Sequence, residues 1–226
     1  MLRRVFITGA NSGIGFELAK QYILRGDDVA LFDLHFCEQT KQSLGELADY
    51  YQYVEFFATP ICDTEALQTQ INNAIAAIGK PDLAIFSCHT YEQLSNENSI
   101  ACQHFATVIT PHLGMNSHLA LTTPLIDATQ FTPQPSALIL AKELRKKFKP
   151  NNIKVSLICA SKTHSTLASP AYAAKHILRG LDKQKLMVIL GLQSKLTYIM
   201  SRYLPNWIMG SVMDRLIKQQ LIRTTR

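Results

Sequence analysis

The chain has 226 residues, 47% of them hydrophobic, enough to bury one sizeable core and to fold as one domain. Five cysteines (Cys37, Cys62, Cys88, Cys102 and Cys159) are scattered without a CxxC pair, which excludes a disulfide framework and a zinc site and fits a reducing compartment. The net charge of +6 conceals a division, because residues 1–141 carry 6 Lys/Arg against 14 Asp/Glu and residues 142–226 carry 17 against 3.

A strand pattern over residues 3–8 begins almost at the first Met and leaves no room for a signal sequence. Further strand-like runs follow at 28–33, 53–58, 82–87, 118–122, 153–159 and 186–190. Amphipathic patterns separate them. The clearest is 63–78, where Leu67, Ile71, Ala74, Ile75 and Ile78 recur at helical spacing behind Asp63 as N-cap, with Gly79 and Pro81 as the stop. Seven strands alternating with helices predict right-handed βαβ units and a Rossmann-type, doubly wound, mostly parallel sheet covered on both faces, over residues 1–191.

Residues 192–226 read differently, as a basic helical tail packed on the same domain and broken at Leu204-Pro205. Leu196, Ile199, Met200, Tyr203, Ile208, Val212 and Leu216 form apolar stripes among Lys195, Arg202, Arg215 and Lys218. Such stripes can cover a sheet edge, form a contact between copies of the chain, or lie through 192–222 on an anionic membrane. No run reaches the length needed to span a bilayer, so a cytoplasmic protein, at most peripheral to a membrane, is expected. Nucleic acid is not an expected partner.

The string Thr8-Gly9-Ala10-Asn11-Ser12-Gly13-Ile14-Gly15 follows the first strand and opens a helix. Gly9 suits the tight turn off the strand, Gly13 admits a phosphate to the backbone, and Gly15 lets the helix approach the sheet. The amides and positive end of that helix then face a pyrophosphate, so the stretch is read as a dinucleotide site. Asp33 ends the second strand, where a carboxylate accepts hydrogen bonds from the adenosine ribose and repels a 2′-phosphate. This favours NAD over NADP. Asp63, after the third strand, is placed near the adenine as well as at its helix cap.

These motifs resemble the short-chain dehydrogenase/reductase family. The TGANSGIG string, the spacing to Asp33 and the position of Asp63 carry the likeness; 153–159 resembles the family's sixth strand, and 169–185 the helix after it. The resemblance implies an oxidoreductase that moves a hydride between nicotinamide and a carbonyl or alcohol. It also implies cofactor contacts from Gly9, Asn11, Ser12, Gly13, Ile14, Gly15, Asp33 and Asp63, and from Ser87 and Cys88, which stand where the family has NNAG.

The chain departs from the family where proton transfer is done. The family's YxxxK motif uses a lysine to lower the pKa of the tyrosine phenol, and no tyrosine here is followed by Lys in that motif. Counting back from Glu143-Leu144-Arg145 puts the Tyr position near Gln130 and the Lys position near Gln134, and glutamine does not titrate. Tyr172 and Tyr198 are read as surface and packing residues. The family's catalytic serine corresponds to Thr122 or Thr123, and the Pro-Gly behind the nicotinamide is Ala160-Ser161.

Replacement proton donors are sought in His89, Tyr91, His112 and His118, from the expectation that they flank the cofactor crevice. No metal site is expected. The reading is therefore an NAD(H)-binding homologue without the Tyr/Lys chemistry. Its alternative is an active NAD(P)-dependent oxidoreductase in which Thr122, His89 or Tyr91 serves a hydrophobic or carrier-bound substrate.

Overall fold

The computed structural model describes residues 2–87, 96–126, 132–133, 135–160 and 169–190. Its elements run β1 (Arg4–Thr8), α1 (Gly13–Ile23), β2 (Asp28–Asp33), α2 (Glu38–Gly45), β3 (Val54–Ala58), α3 (Thr64–Ile78) and β4 (Leu83–Phe86). Then come α4 (Asn96–Ile109), β5 (His118–Ile126), β6 (Thr132–Pro133), α5 (Pro135–Phe148), β7 (Lys154–Ala160), α6 (Pro170–Asp182) and β8 (Met187–Ile189).

Seven strands lie parallel in the order β3-β2-β1-β4-β5-β7-β8, and β6 pairs antiparallel with the end of β5. From β1 the chain winds outward to β3 and then returns to β4 on the other side. The expected doubly wound sheet is what forms, with its switch point between β1 and β4.

Because side chains alternate along a strand, each strand feeds two cores. Phe6, Ala30, Phe32, Ala84 and Phe86 point to one face, where α3, α4 and α5 cover them with Leu67, Ile71, Phe105 and Ala141. Val5, Ile7, Val29, Leu31 and Ile85 point to the other, against Leu18 and Tyr22 of α1 and Ala174 and Ile177 of α6. Near-continuous apolar runs in β1, β2 and β4 follow from that double burial.

The edge where the strands begin is held by ion pairs. The Arg4 amide and guanidinium both donate to Asp82, at 2.9 to 3.0 Å, joining the starts of β1 and β4. Arg3 donates to Asp27 before β2 and also meets Asp182 at the end of α6, where Arg25 pairs as well. The buried Tyr22 ring lies within cation–π range of Arg3 and Arg25, at 5.6 and 5.8 Å.

Most strand ends fall within a residue or two of expectation. β5 is the exception, continuing past the expected residue 122 to Ile126. The Thr-Thr-Pro sequence reads as a stop, yet Pro124 sits in register with Ala160 after β4 has ended at Phe86. The β4–β5 pairing has ended at Leu121, so the missing proline N–H interrupts none of it. Cys102 and Cys159 are buried and Cys37 and Cys62 exposed, and the described residues hold no cluster able to bind a metal. No helix among them is long and apolar enough to cross a membrane. The expected tail, 192–226, lies outside the described residues.

Helix α3 starts as expected, with one Asp63 oxygen accepting from the Glu65 and Ala66 amides at 3.0 Å each. Asp63→Ala removes that cap and is expected to cost about 1 kcal/mol. A lowered urea midpoint at unchanged slope is the measurement that checks it.

Candidate functional site

Thr8, at the end of β1, is fully buried, and its hydroxyl both donates to the Ser87 carbonyl (3.1 Å) and accepts from the Ser87 amide (3.0 Å). Ser87 is thus a brace between the ends of β1 and β4, with both backbone groups committed. From there Gly9 turns the chain with φ 66°, and its amide donates to the Phe32 carbonyl at 2.8 Å. The loop crosses the end of β2 before α1 begins.

Two glycines in this loop are required by geometry. A Cβ at Gly15 would run into the Gly9 carbonyl oxygen, so only glycine lets α1 start so close to the strand exit. Gly13 has φ 61°, and a Cβ there would meet nothing within 4 Å. Gly13 therefore faces open space, beside the first-turn amides that have no partner within their own helix. No acidic residue stands in that turn. Ser12, the N-cap, is extended and exposed, while Ile14 packs partly into the core under α1. Open space before a helix N-terminus is what an anion requires.

Asp33 is 6% exposed, and its carboxylate has structural duties that the sequence did not reveal. One oxygen accepts from the Asn11 amide and the other from the Leu34 amide, both at 2.8 Å. The Asn11 side chain in turn accepts from the Cys37 amide at 3.1 Å, and the Asn11 carbonyl accepts from the Thr40 hydroxyl at 3.1 Å. Asn11 is thereby a bracket between the glycine loop and the start of α2. The same Thr40 hydroxyl lies 3.1 Å from the exposed Cys37 sulfur, a contact that lowers the thiol pKa. Just past β3, the Thr59 amide donates to the Asp33 carbonyl at 2.7 Å, and the buried Thr59 hydroxyl has no partner.

Of the predicted reaction-centre residues, Thr122 is half-buried near the end of β5, in register with Ile158, and Thr123 is buried. Cys88, His89, Tyr91, Gln130 and Gln134 lie outside the described residues. Tyr172 is on the surface of α6 as expected, 59% exposed.

His112 and His118 do not flank the crevice, which corrects their placement. His118 is the first residue of β5, and His112 follows α4, whose end approaches the same edge, where the parallel strands begin. The ring of His112 lies 3.0 Å from the Gln68 amide. His118 helps to line a cavity of about 420 Å³ with Arg3, Arg4, Asp82 and Asp182, whose charges are already paired with one another. Its Nε2 lies 2.8 Å from the Ser156 hydroxyl, which donates to the Lys185 carbonyl, so the imidazole nitrogen is the donor in that pair.

Residues 3–112 match the family model described as short chain dehydrogenase. Over these residues, just under half of the chain, the sequence is similar to the short-chain dehydrogenases. Among solved structures, the apo form of LigD from Sphingobium sp. strain SYK-6 superposes with a TM-score of 0.73 at 19% identity, covering 88% of this chain and 94% of that one. A short-chain dehydrogenase/reductase from Burkholderia phymatum in complex with NAD gives 0.71 at 14% identity, covering 88% and 92%. A dehydrogenase/reductase from Sinorhizobium meliloti 1021 gives 0.67 at 17%, covering 83% and 93%. At these identities the likeness is one of fold. No curated protein sequence matches the chain.

Two outcomes follow from this geometry. Gly15→Ala is expected to lower stability by about 2–3 kcal/mol, read as a drop in melting temperature, because backbone rather than a side chain must give way. Burial, with Arg3 and Lys154 nearby and Asp182 opposing them, pushes the pKa of His118 down to about 4. Below pH ~6.5 the unfolded chain takes up a proton that the folded chain refuses, so stability is full above that pH and falls as the pH drops toward the folded value. In His118→Gln the loss of stability over that window is expected to shrink by roughly 2 kcal/mol in urea titrations at stepped pH.

Proposed function

We propose that the chain binds NAD(H) across the ends of β1 and β4 and does so without the proton relay of the short-chain dehydrogenases. The observation that carries this reading is Gly13, whose open side adjoins the first-turn amides of α1, which have no partner within the helix, at the switch point of the sheet. In this reading the amides of Gly13, Ile14 and Gly15 hold the pyrophosphate, and Ser12 flanks it. Asn11 keeps the loop in shape. Asp33, held by the Asn11 and Leu34 amides, stands where the ribose hydroxyls would lie in this reading, and its charge disfavours a 2′-phosphate.

The fit has a second support. The orphaned Thr59 hydroxyl lies beside Asp33, on the side where an adenosine would extend, and needs a hydrogen-bonding partner. Asp63 stands a few residues further along. Ser87 forms part of the wall under the nicotinamide half, and the sequence resemblance assigns Cys88 to the cofactor as well. A bound nicotinamide supplies hydride exchange at its ring. The chain's own part in that chemistry would be to orient and protonate the substrate oxygen. Thr122 can orient an oxygen but does not titrate near neutrality, and counting back from Glu143-Leu144-Arg145 puts the Tyr and Lys positions near Gln130 and Gln134.

NADH is expected to bind with enhanced nicotinamide fluorescence and to bind more tightly than NADPH. Gly13→Val, which fills the open space, is expected to weaken binding at least about tenfold, the worth of one charge-assisted hydrogen bond or more. Asp33→Asn should narrow the difference between NADH and NADPH. Oxidation of NADH with a panel of ketones and aldehydes would overturn the claim of lost chemistry and turn attention to Thr122, His89 and Tyr91. Failure of NADH and NADPH to bind would overturn the reading altogether.

A further inference from the structure

The edge of the sheet opposite the glycine loop has an unusual surface. Three aliphatic side chains stand out there: Leu2 is 69% exposed, Leu24 57% and Met115 75%. Leu2 precedes β1, Leu24 ends α1, and Met115 lies in the turn before β5, so all three belong to the end where the strands start. Leu2 reaches Gly26, two residues beyond Leu24. Met115 adjoins Asn116, whose amide donates to the Asn151 carbonyl, close to Lys149.

Around these side chains the lysines outnumber the carboxylates that lack a cation. Asp27 and Asp182 are spent on Arg3 and Arg25 and Asp82 on Arg4, which leaves Asp28 and the exposed Asp49 of this edge without a cation among the described residues. Lys80, Lys146, Lys147, Lys149, Lys183 and Lys185 are exposed and lie in the turns and helix ends that close the same edge. Complementing the helix dipole accounts for Lys146 and Lys147 in the last turn of α5. It does not account for three protruding aliphatic groups placed on the same edge.

We propose that this edge is a docking surface for an anionic lipid bilayer. Unpaired lysines are drawn to the negative surface potential, and Leu2, Leu24 and Met115 enter the interface, where burying apolar area is rewarded. Nucleic acid would satisfy the lysines but offers little to exposed Leu and Met. The surface is separate from residues 192–222 and independent of the dinucleotide reading. Docked in this way, the protein holds its glycine loop on the side away from the lipid.

The test is flotation of the full-length protein with vesicles of phosphatidylcholine alone or with about one third phosphatidylserine. Binding is expected only to the anionic vesicles and should weaken as salt is raised. Lys146→Glu/Lys147→Glu/Lys149→Glu should reduce the partition coefficient by at least about 100-fold, since each lysine near such a surface contributes about fivefold. Leu24→Ser/Met115→Ser should reduce it by about tenfold at constant charge. All five positions are exposed, and unchanged melting temperatures verify the fold of both variants. Equal binding to neutral vesicles overturns the proposal, as does the absence of binding to either. Anionic binding that survives both sets of substitutions puts the contact elsewhere on the chain. If the wild type prefers an oligonucleotide to the vesicles and the serine variant binds vesicles normally, the edge is a nucleic-acid surface instead.

Discussion

The approach of α1 to the end of β1 is the constraint on which the upper half of the molecule depends. Gly15 lies against the Gly9 carbonyl with no room for a Cβ, so the helix begins over the strand exit rather than beside it. That position brings the first-turn amides to the switch point, and the loop can then span to β2 and lean on Asp33. Moving the helix outward by the width of a methyl group would uncouple the loop from Asp33 and Asn11 from α2. The glycine is thus a packing requirement first, and the anion-friendly helix end is its result.

Around this contact the end of the sheet is held by small polar groups rather than by bulk. Thr8 ties β1 to β4, Asp33 ties the loop to β2, Thr59 follows β3 back to Asp33, and Asn11 with Thr40 fixes α2. Each bond is worth little net, about 1 kcal/mol, but an unmade one in a buried setting costs more. Their value is positional. The opposite edge is secured differently, by carboxylate–guanidinium pairs that are partly exposed and contribute register more than stability.

Much of the fold was legible because its signals are local. Strands buried on both faces are short apolar runs, and α3 announces itself by spacing, by Asp63 and by Gly79. The glycine loop is likewise contiguous in sequence, so its placement could be read directly. The extension of β5 was not, because whether Pro124 ends a strand depends on a neighbour that stops at Phe86. The two histidines were misplaced for a related reason. In a parallel sheet, the first and last residues of one strand lie on opposite edges, and His118 is a first residue. The bracing roles of Asn11, Ser87 and Thr59 were illegible, since each depends on partners that are distant in the chain.

The clasp of Arg4 on Asp82 also bears on how the chain is made. The two residues are 78 positions apart, and β1 lies between β2 and β4 in the finished sheet. During synthesis the first strand can pair with β2 early, but its other edge stays bare until the segment around Asp82 has emerged. A strand as apolar as Val5-Phe6-Ile7-Thr8, exposed along one side for that interval, is what chaperones bind and what aggregates seed from. A strand enclosed on both sides in the native protein is therefore a vulnerable segment at birth.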